Sequence, residues 1–313
     1  MSNLNLTNCG TTGNLGVAQC GLDPQLFQRA ILIPKGFVIP SASLTTADTV
    51  MTYIQNKLEA DSRSSRFFLT TLLTNMNNKT DAPKEEERDG FKKTVFEGAW
   101  NLEFYLNGSI CDYTNMLNFN RQQSYYDVLM VDSRNVVYGR KDALGLGGWS
   151  LYEIYTYVWK PATVSTAAQY VLSLKFGNNA DYTTNIGWFD ASSSSTQVAN
   201  MDGLVEVTLS AGTTSNTSSA IYVYAKLGCD AANMGDYYAT VLNTASAWTV
   251  TSSVGVARSL TGVTYNSTTK QWAIASSAAF SNGDLVSLKA PSVLLGIDPS
   301  ANLITETTLA IAI

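Results

Sequence analysis

The 313-residue chain contains no histidine. That absence removes Ser-His-Asp and Cys-His nucleophile arrangements, His-ligated metals, and the one side chain whose ordinary pKa lies near neutrality. Charge is also scarce: Asp, Glu, Lys and Arg make up 14% of the residues, against about 25% in an average soluble domain. Acidic residues (25) outnumber basic ones (20), for a formal net charge of −5, so there is no electrostatic footprint for gripping a phosphate backbone. No apolar run is long enough to cross a bilayer as a helix. Residues 1–12 show neither the basic region nor the apolar stretch of a secretory leader. The expectation is a chain that does not insert into membranes and matures in a cytoplasm. There its cysteines, Cys9, Cys20, Cys111 and Cys229, would stay reduced. They include no CxxC pair and supply no zinc motif.

Carboxylate chemistry remains open in principle. A glycosidase pair needs two acids facing each other across a cleft, and the spacing of Glu97, Glu103, Asp112, Asp127, Asp132, Asp142 and Glu153 by itself puts no two of them reliably face to face. Asp132 and Asp142 read as turn residues, where a carboxylate bonds nearby backbone. The glycine cluster from Gly139 to Gly148 lacks the Lys-Ser ending of a phosphate loop and the helix that should follow, and reads as a flexible β connection. The chain is therefore expected to be no enzyme, with no catalytic residues, no metal and no cofactor.

What is present is 45% apolar and 11% aromatic residues, with Ser, Thr and Asn taking the place of charge. Burying a hydroxyl costs less than burying an ion, so such a surface suits contacts between subunits. The length exceeds what one core usually organises. Residues 1–44, dense in Gly and Pro, read as an extended arm with strand pieces such as 28–33. Residues 45–190 read as a β domain with one helix, whose stripe is Val50, Met51, Ile54 and Leu58 below Thr45 and Asp48 in capping positions.

From Phe91 to about Gly177 the period becomes two, with Leu102, Phe104 and Leu106 in phase with Trp100, and Asn107-Gly108 reads as a hairpin turn into a strand from Ser109 to Tyr113. A second hairpin is expected at Asp132-Ser133-Arg134-Asn135. The strand Leu151 to Trp159 would place Tyr152, Ile154 and Val158 on one face and Glu153, Tyr155, Tyr157 and Trp159 on the other. Residues 191–202, Ser-rich, read as a linker. Residues 203–313 show short strands at sandwich spacing, including 237–242 and 303–313, and no helix. In the last strand Leu309, Ile311 and Ile313 share a face that needs cover from its own sandwich or a neighbour. The aromatic trio Tyr155, Tyr157 and Trp159 reads as an interface, or alternatively as a sugar-stacking platform of a carbohydrate-binding, adhesive module. Lys84, Glu85, Glu86, Glu87 and Arg88 belong to a charged loop available to partners.

Four segments carry a resemblance: Gly98-Ala99-Trp100-Asn101-Leu102-Glu103-Phe104, Tyr126-Asp127-Val128-Leu129-Met130-Val131-Asp132-Ser133, Val136-Val137-Tyr138-Gly139 and Leu151-Tyr152-Glu153-Ile154-Tyr155. Over about a third of its length the chain resembles a structural tail or collar ring protein of crAss-like, Bacteroides-infecting bacteriophages. The resemblance implies a tail-tube-like β sandwich or barrel with one helix, followed by an immunoglobulin-like β sandwich. It implies a virion protein, assembled in the bacterial host cytoplasm, that closes with copies of itself into a six- or twelve-fold ring or tube layer. Portal, collar or tail ring proteins would adjoin it, and DNA would pass through the lumen without specific binding. The segment Lys84 to Arg88 would then be an inter-layer contact.

Overall fold

The computed structural model of the protein describes residues 4–5, 26–81, 84–88, 91–96, 98–182, 184–228 and 232–313. The fold is mainly β, as the alternation predicts. It divides into two compact units, Met1–Leu58 with Ser62–Asp202, and Glu59–Asp61 with Gly203–Ile313.

The first unit runs β1 (Leu4–Asn5), β2 (Phe27–Pro34), β3 (Val38–Pro40), α1 (Ala47–Leu58), β4 (Phe68–Leu69), β5 (Leu73–Asn78), β6 (Lys84–Arg88), β7 (Phe91–Phe96) and β8 (Asn101–Asn107). It continues through α2 (Ile110–Leu117), β9 (Tyr126–Asp132), β10 (Val136–Asp142), β11 (Gly145–Gly147), β12 (Trp149–Lys160), β13 (Gln169–Phe176), α3 (Asn179–Tyr182) and β14 (Ile186–Asp190). Twelve strands form one sheet in the order β1-β14-β10-β9-β12-β13-β8-β5, with β2 and β4 joined at β9, and β11 and β3 at β10. The sheet curls into a half-barrel. β12 carries the curl: Trp149 and Ser150 pair with β9, whereas Leu151 onward pairs with β13. Its register shifts twice, between Leu151 and Glu153 and between Tyr157 and Lys160, and such irregularities bend a strand.

Two cores flank this sheet. Leu32, Phe104, Val128, Met130, Tyr138, Trp149 and Leu172 fill one. Ile31, Ile33, Leu129, Val131, Val137 and Phe189 fill the other, against Val50, Met51, Ile54 and Leu58 of α1. Because both faces are covered, β9 is buried over its whole length, which accounts for its near-continuous apolar sequence.

The expected N-terminal arm needs correction from Phe27 onward. β2 pairs with β9 in the interior of the sheet, and Ala30, Ile31, Leu32 and Ile33 are all buried. A run without polar alternation belongs between two cores. Residues 6–25 lie outside the described residues. The Ser-rich stretch 191–202 is likewise tied to the first unit. Asp48 accepts hydrogen bonds from Ser194 Oγ (2.7 Å) and Ser195 N (3.2 Å). Asn135 Nδ2 donates to the carbonyls of Ala191 and Thr196, its Oδ1 accepts from Val198 N at 2.9 Å, and Val198 and Met201 are buried in the core beneath α1. The glycine cluster proves to be strand, with β11 buried throughout. A Cβ on Gly139 would lie 2.3 Å from the carbonyl oxygen of Gly147, so glycine there permits close backbone approach.

Helices are more numerous than the one expected in this unit. Ser109 begins α2 and not a strand: its Oγ accepts from Asp112 N (3.2 Å) while Asp112 Oδ2 accepts from Ser109 N (2.8 Å), a reciprocal capping box. Cys111 is disulfide-bonded, contrary to the expected reduced thiol; Cys9, Cys20 and Cys229 lie outside the described residues.

The second unit contains β15 (Val205–Ala211), β16 (Ala220–Leu227), α4 (Gly235–Leu242), β17 (Trp248–Thr251), β18 (Leu260–Asn266), β19 (Gln271–Ser276), β20 (Leu285–Leu288), α5 (Pro291–Ile297), β21 (Leu303–Ile304) and β22 (Leu309–Ala310). Sheets β18-β19-β16-β15-β21 and β17-β20-β22 share one core around Ile221, Val223, Trp248, Trp272, Ile274 and Val286. Residues 237–242, expected as strand, are helical, and Gly235 lets the helix start lie on Tyr265, where a Cβ would meet the ring at 2.0 Å. The expected terminal strand 303–313 breaks into β21, parallel to β15, and β22, antiparallel to β20.

Candidate functional site

The carboxylates singled out from the sequence are mostly committed to the fold. Asp112 caps α2. Asp127 is buried against Lys35 Nζ (2.9 Å) and Gly36 N (2.9 Å). Asp132, also buried, accepts from the backbone of Arg134 and Val136 and from Tyr138 Oη, closing the hairpin predicted there. Asp142 accepts from Leu144 N across its turn. Glu97 lies outside the described residues. Among the described residues no group of three or more Cys, Asp or Glu could hold a metal ion.

Glu103 and Glu153 differ, because they stand with aromatic residues on the solvent face of β12-β13-β8. Register sets Tyr155 beside Ser173 and Glu103, and Tyr157 beside Val171 and Tyr105. Ser173 and Val171 are buried beneath these longer side chains, while Tyr155 remains 39% exposed. The Tyr155 and Tyr157 rings stack at 5.9 Å with 27° between their planes. Tyr157 Oη donates to Glu103 Oε1 (2.7 Å), and Lys79 Nζ lies 4.0 Å from Glu103 Oε2. Lys175 pairs with Glu153, and Lys160 Nζ sits 6.0 Å from the Tyr105 ring. Desolvation, and then the neighbouring Glu103 carboxylate, push the Tyr157 phenol up to about 12. The result is an aromatic face whose acids are neutralised locally, so covering it strands no carboxylate.

The structure separates other residues that the sequence grouped with this face. Trp159 packs against the first unit's core, because the irregularity after Tyr157, with Val158 at φ +53°, reverses the side-chain alternation. Tyr152 and Val158, expected to share a face with buried Ile154, are 70% and 48% exposed, Tyr152 at the register shift between Leu151 and Glu153 and Val158 at the one between Tyr157 and Lys160. In the second unit Ile311 is buried in its own core with Leu309 packed against it, and only Ile313 of the three is exposed.

Lys84 to Arg88 is a strand and not a loop. β6 pairs with β7 so that Glu86 faces Lys93 and Glu87 faces Lys92 in register. Asn78 pairs with Leu102 and Lys84 with Phe96, six residues further along each strand. β5–β6 and β7–β8 are therefore two legs of one long hairpin, its base in the large sheet and its outer half a two-stranded sheet of its own. At the base, Thr74 to Asn78 of the terminal strand β5 are exposed. Sequence reading placed a period of two from Phe91 onward but missed the pairing with Lys84 to Arg88, because a mixed-sign charge run reads as a solvated loop. The signal that could have found it is the charge order, acids then a turn then lysines, in mirror register.

Comparison with protein-family models gives no match, and comparison with curated proteins gives no relative.

Proposed function

We propose that the chain is a virion structural protein that assembles with copies of itself into a ring or tube layer around the DNA channel of a phage tail or collar. The observation that carries this reading is the tyrosine face of β12-β13-β8: an exposed aromatic surface with locally paired acids, bordered by the exposed strand β5. Such a surface can be buried without isolating a carboxylate, and an edge strand invites pairing. Ring closure by a rotational repeat satisfies such edges without leaving a free end. The long hairpin is suited to contact an adjoining layer, since a two-stranded ribbon is marginal in water unless something packs on it. The acidic balance fits a lumen through which DNA slides unheld. A disulfide at Cys111 fits a particle that leaves the reducing cytoplasm of its host.

Native mass measurement with negative-stain imaging across a concentration series tests the proposal. Closed rings or stacked tubes are expected, and Tyr155→Asp with Tyr157→Asp should shift the population to monomer. A chain that stays monomeric throughout, and does not co-assemble with the neighbouring ring proteins of its virion, overturns the reading.

A further inference from the structure

We propose that the outer face of the five-stranded sheet in the second unit is a binding platform for neutral oligosaccharides. The inference is independent of the assembly reading, because it uses none of the residues of the first unit.

Alternation along β16 sends Ile221, Val223 and Ala225 into the core and leaves Tyr222 and Tyr224 half-exposed on the opposite face. Two strand positions separate the rings by about 7 Å. Small residues surround Tyr222: register places Ala273 beside it and Thr264 beyond. On the other side Gly212 donates its N–H to the Tyr222 carbonyl at 2.8 Å. A Cβ on Gly212 would approach Tyr222 Cβ to 2.9 Å and Gln271 Oε1 to 2.7 Å, so this side of the ring has no room for a larger neighbour. Ser210 stands opposite Tyr224.

A buried amide organises the polar rim. Gln271 is 1% exposed, and its Nε2 donates to Thr213 Oγ1 (2.6 Å) and to Tyr224 Oη (3.1 Å), while its Oε1 accepts from Thr214 N (3.3 Å). Both amide hydrogens are thus spent. The two hydroxyl oxygens are 3.2 Å apart, and one hydrogen serves that contact, leaving the other hydroxyl hydrogen uncommitted within this network. The adjoining connection, residues 212–219, contains only Gly, Thr, Ser and Asn. It is held by Asn216, whose Oδ1 accepts from Tyr222 N (2.7 Å) and whose Nδ2 donates to the Ala312 carbonyl (2.9 Å).

The chemistry of this face selects its ligand. A pyranose ring offers a C–H face that complements the negative face of an aromatic ring, and hydroxyls that both donate and accept, matching Ser210, Thr213, Thr214 and Thr264. Lys226 Nζ lies 5.4 Å from the Tyr224 ring centroid, and a single cation is too little to hold a phosphate chain. The connection is pre-ordered by its own hydrogen bonds, which lowers the entropic cost of binding.

The full-length protein tests this by affinity electrophoresis through gels containing a neutral β-glucan, a galactomannan or a xylan, with alginate as the acidic control. Retardation by at least one neutral polysaccharide is expected. Calorimetric titration with its hexasaccharide should show affinity falling about tenfold or more in Tyr222→Ala with Tyr224→Ala. Ala273→Arg, which keeps both tyrosines but crowds the space beside Tyr222, should weaken binding similarly with an unchanged melting temperature. No retardation by any neutral polysaccharide, retardation by alginate alone, or binding that survives both variants overturns the proposal.

Discussion

At the scale of single residues, Ser109 and Asp112 show how a short signal can be read two ways. Asn107-Gly108 does turn the chain, but Gly108 is needed because a Cβ there would lie 2.7 Å from the Tyr170 ring, and the residues that follow cap a helix. Ser109→Ala should lower stability by about 1 kcal/mol, measured as a drop in the urea midpoint at constant slope. Tyr170 supplies a pH dependence. Its ring is fully buried and its hydroxyl lies 3.0 Å from Thr71 Oγ1; burial pushes the phenol from 10.0 up to about 12. An acid whose folded pKa is raised stabilises the fold fully below pH 10.0, and that contribution disappears as pH climbs toward about 12. The melting temperature should therefore fall over this interval, and fall less in Tyr170→Phe.

At the scale of elements, α1 was legible because three- and four-residue spacing leaves one face apolar, and that face is the one buried. β12 was legible only in part. Its first irregularity lets Tyr152 point outward, and its second sends Trp159 inward, so simple alternation failed at both ends while Tyr155 and Tyr157 stayed in phase with solvent. Val158 is a β-branched residue at φ +53°, a left-handed conformation that costs roughly 1–2 kcal/mol. Val158→Asn should recover about 1 kcal/mol of this, seen as a higher denaturation midpoint. The hairpin gives an element-scale test of assembly. Replacing residues 82–97 by a short turn removes none of the core residues named above, so the melting temperature should hold, while stacking of one layer on the next is lost.

At the scale of the whole molecule, two units with separate cores make unfolding depend on each core's own packing. Phe104→Ala should cost about 3–5 kcal/mol in the first unit, visible as an early transition in calorimetry with the second transition unmoved. Assembly through a face whose acids are paired locally should depend weakly on salt, since little net charge is left to screen. Sedimentation across rising ionic strength would reveal a charge-driven contact by a steep loss of oligomer.

Composition and periodicity alone determined the β-rich class and the position of α1, because local spacing decides which side chains can share a buried face. They also excluded His-based catalysis, since no folding can supply a missing side chain. Tertiary structure decided that residues 27–34 are interior strand and that the Ser-rich stretch is anchored by Asp48 and Asn135. It also decided that acids and lysines in one charge run face each other across a hairpin. The first two rest on contacts between residues distant in sequence and the third on a hairpin register that a mixed charge run conceals, and in β proteins the partner across the ladder decides what a segment becomes.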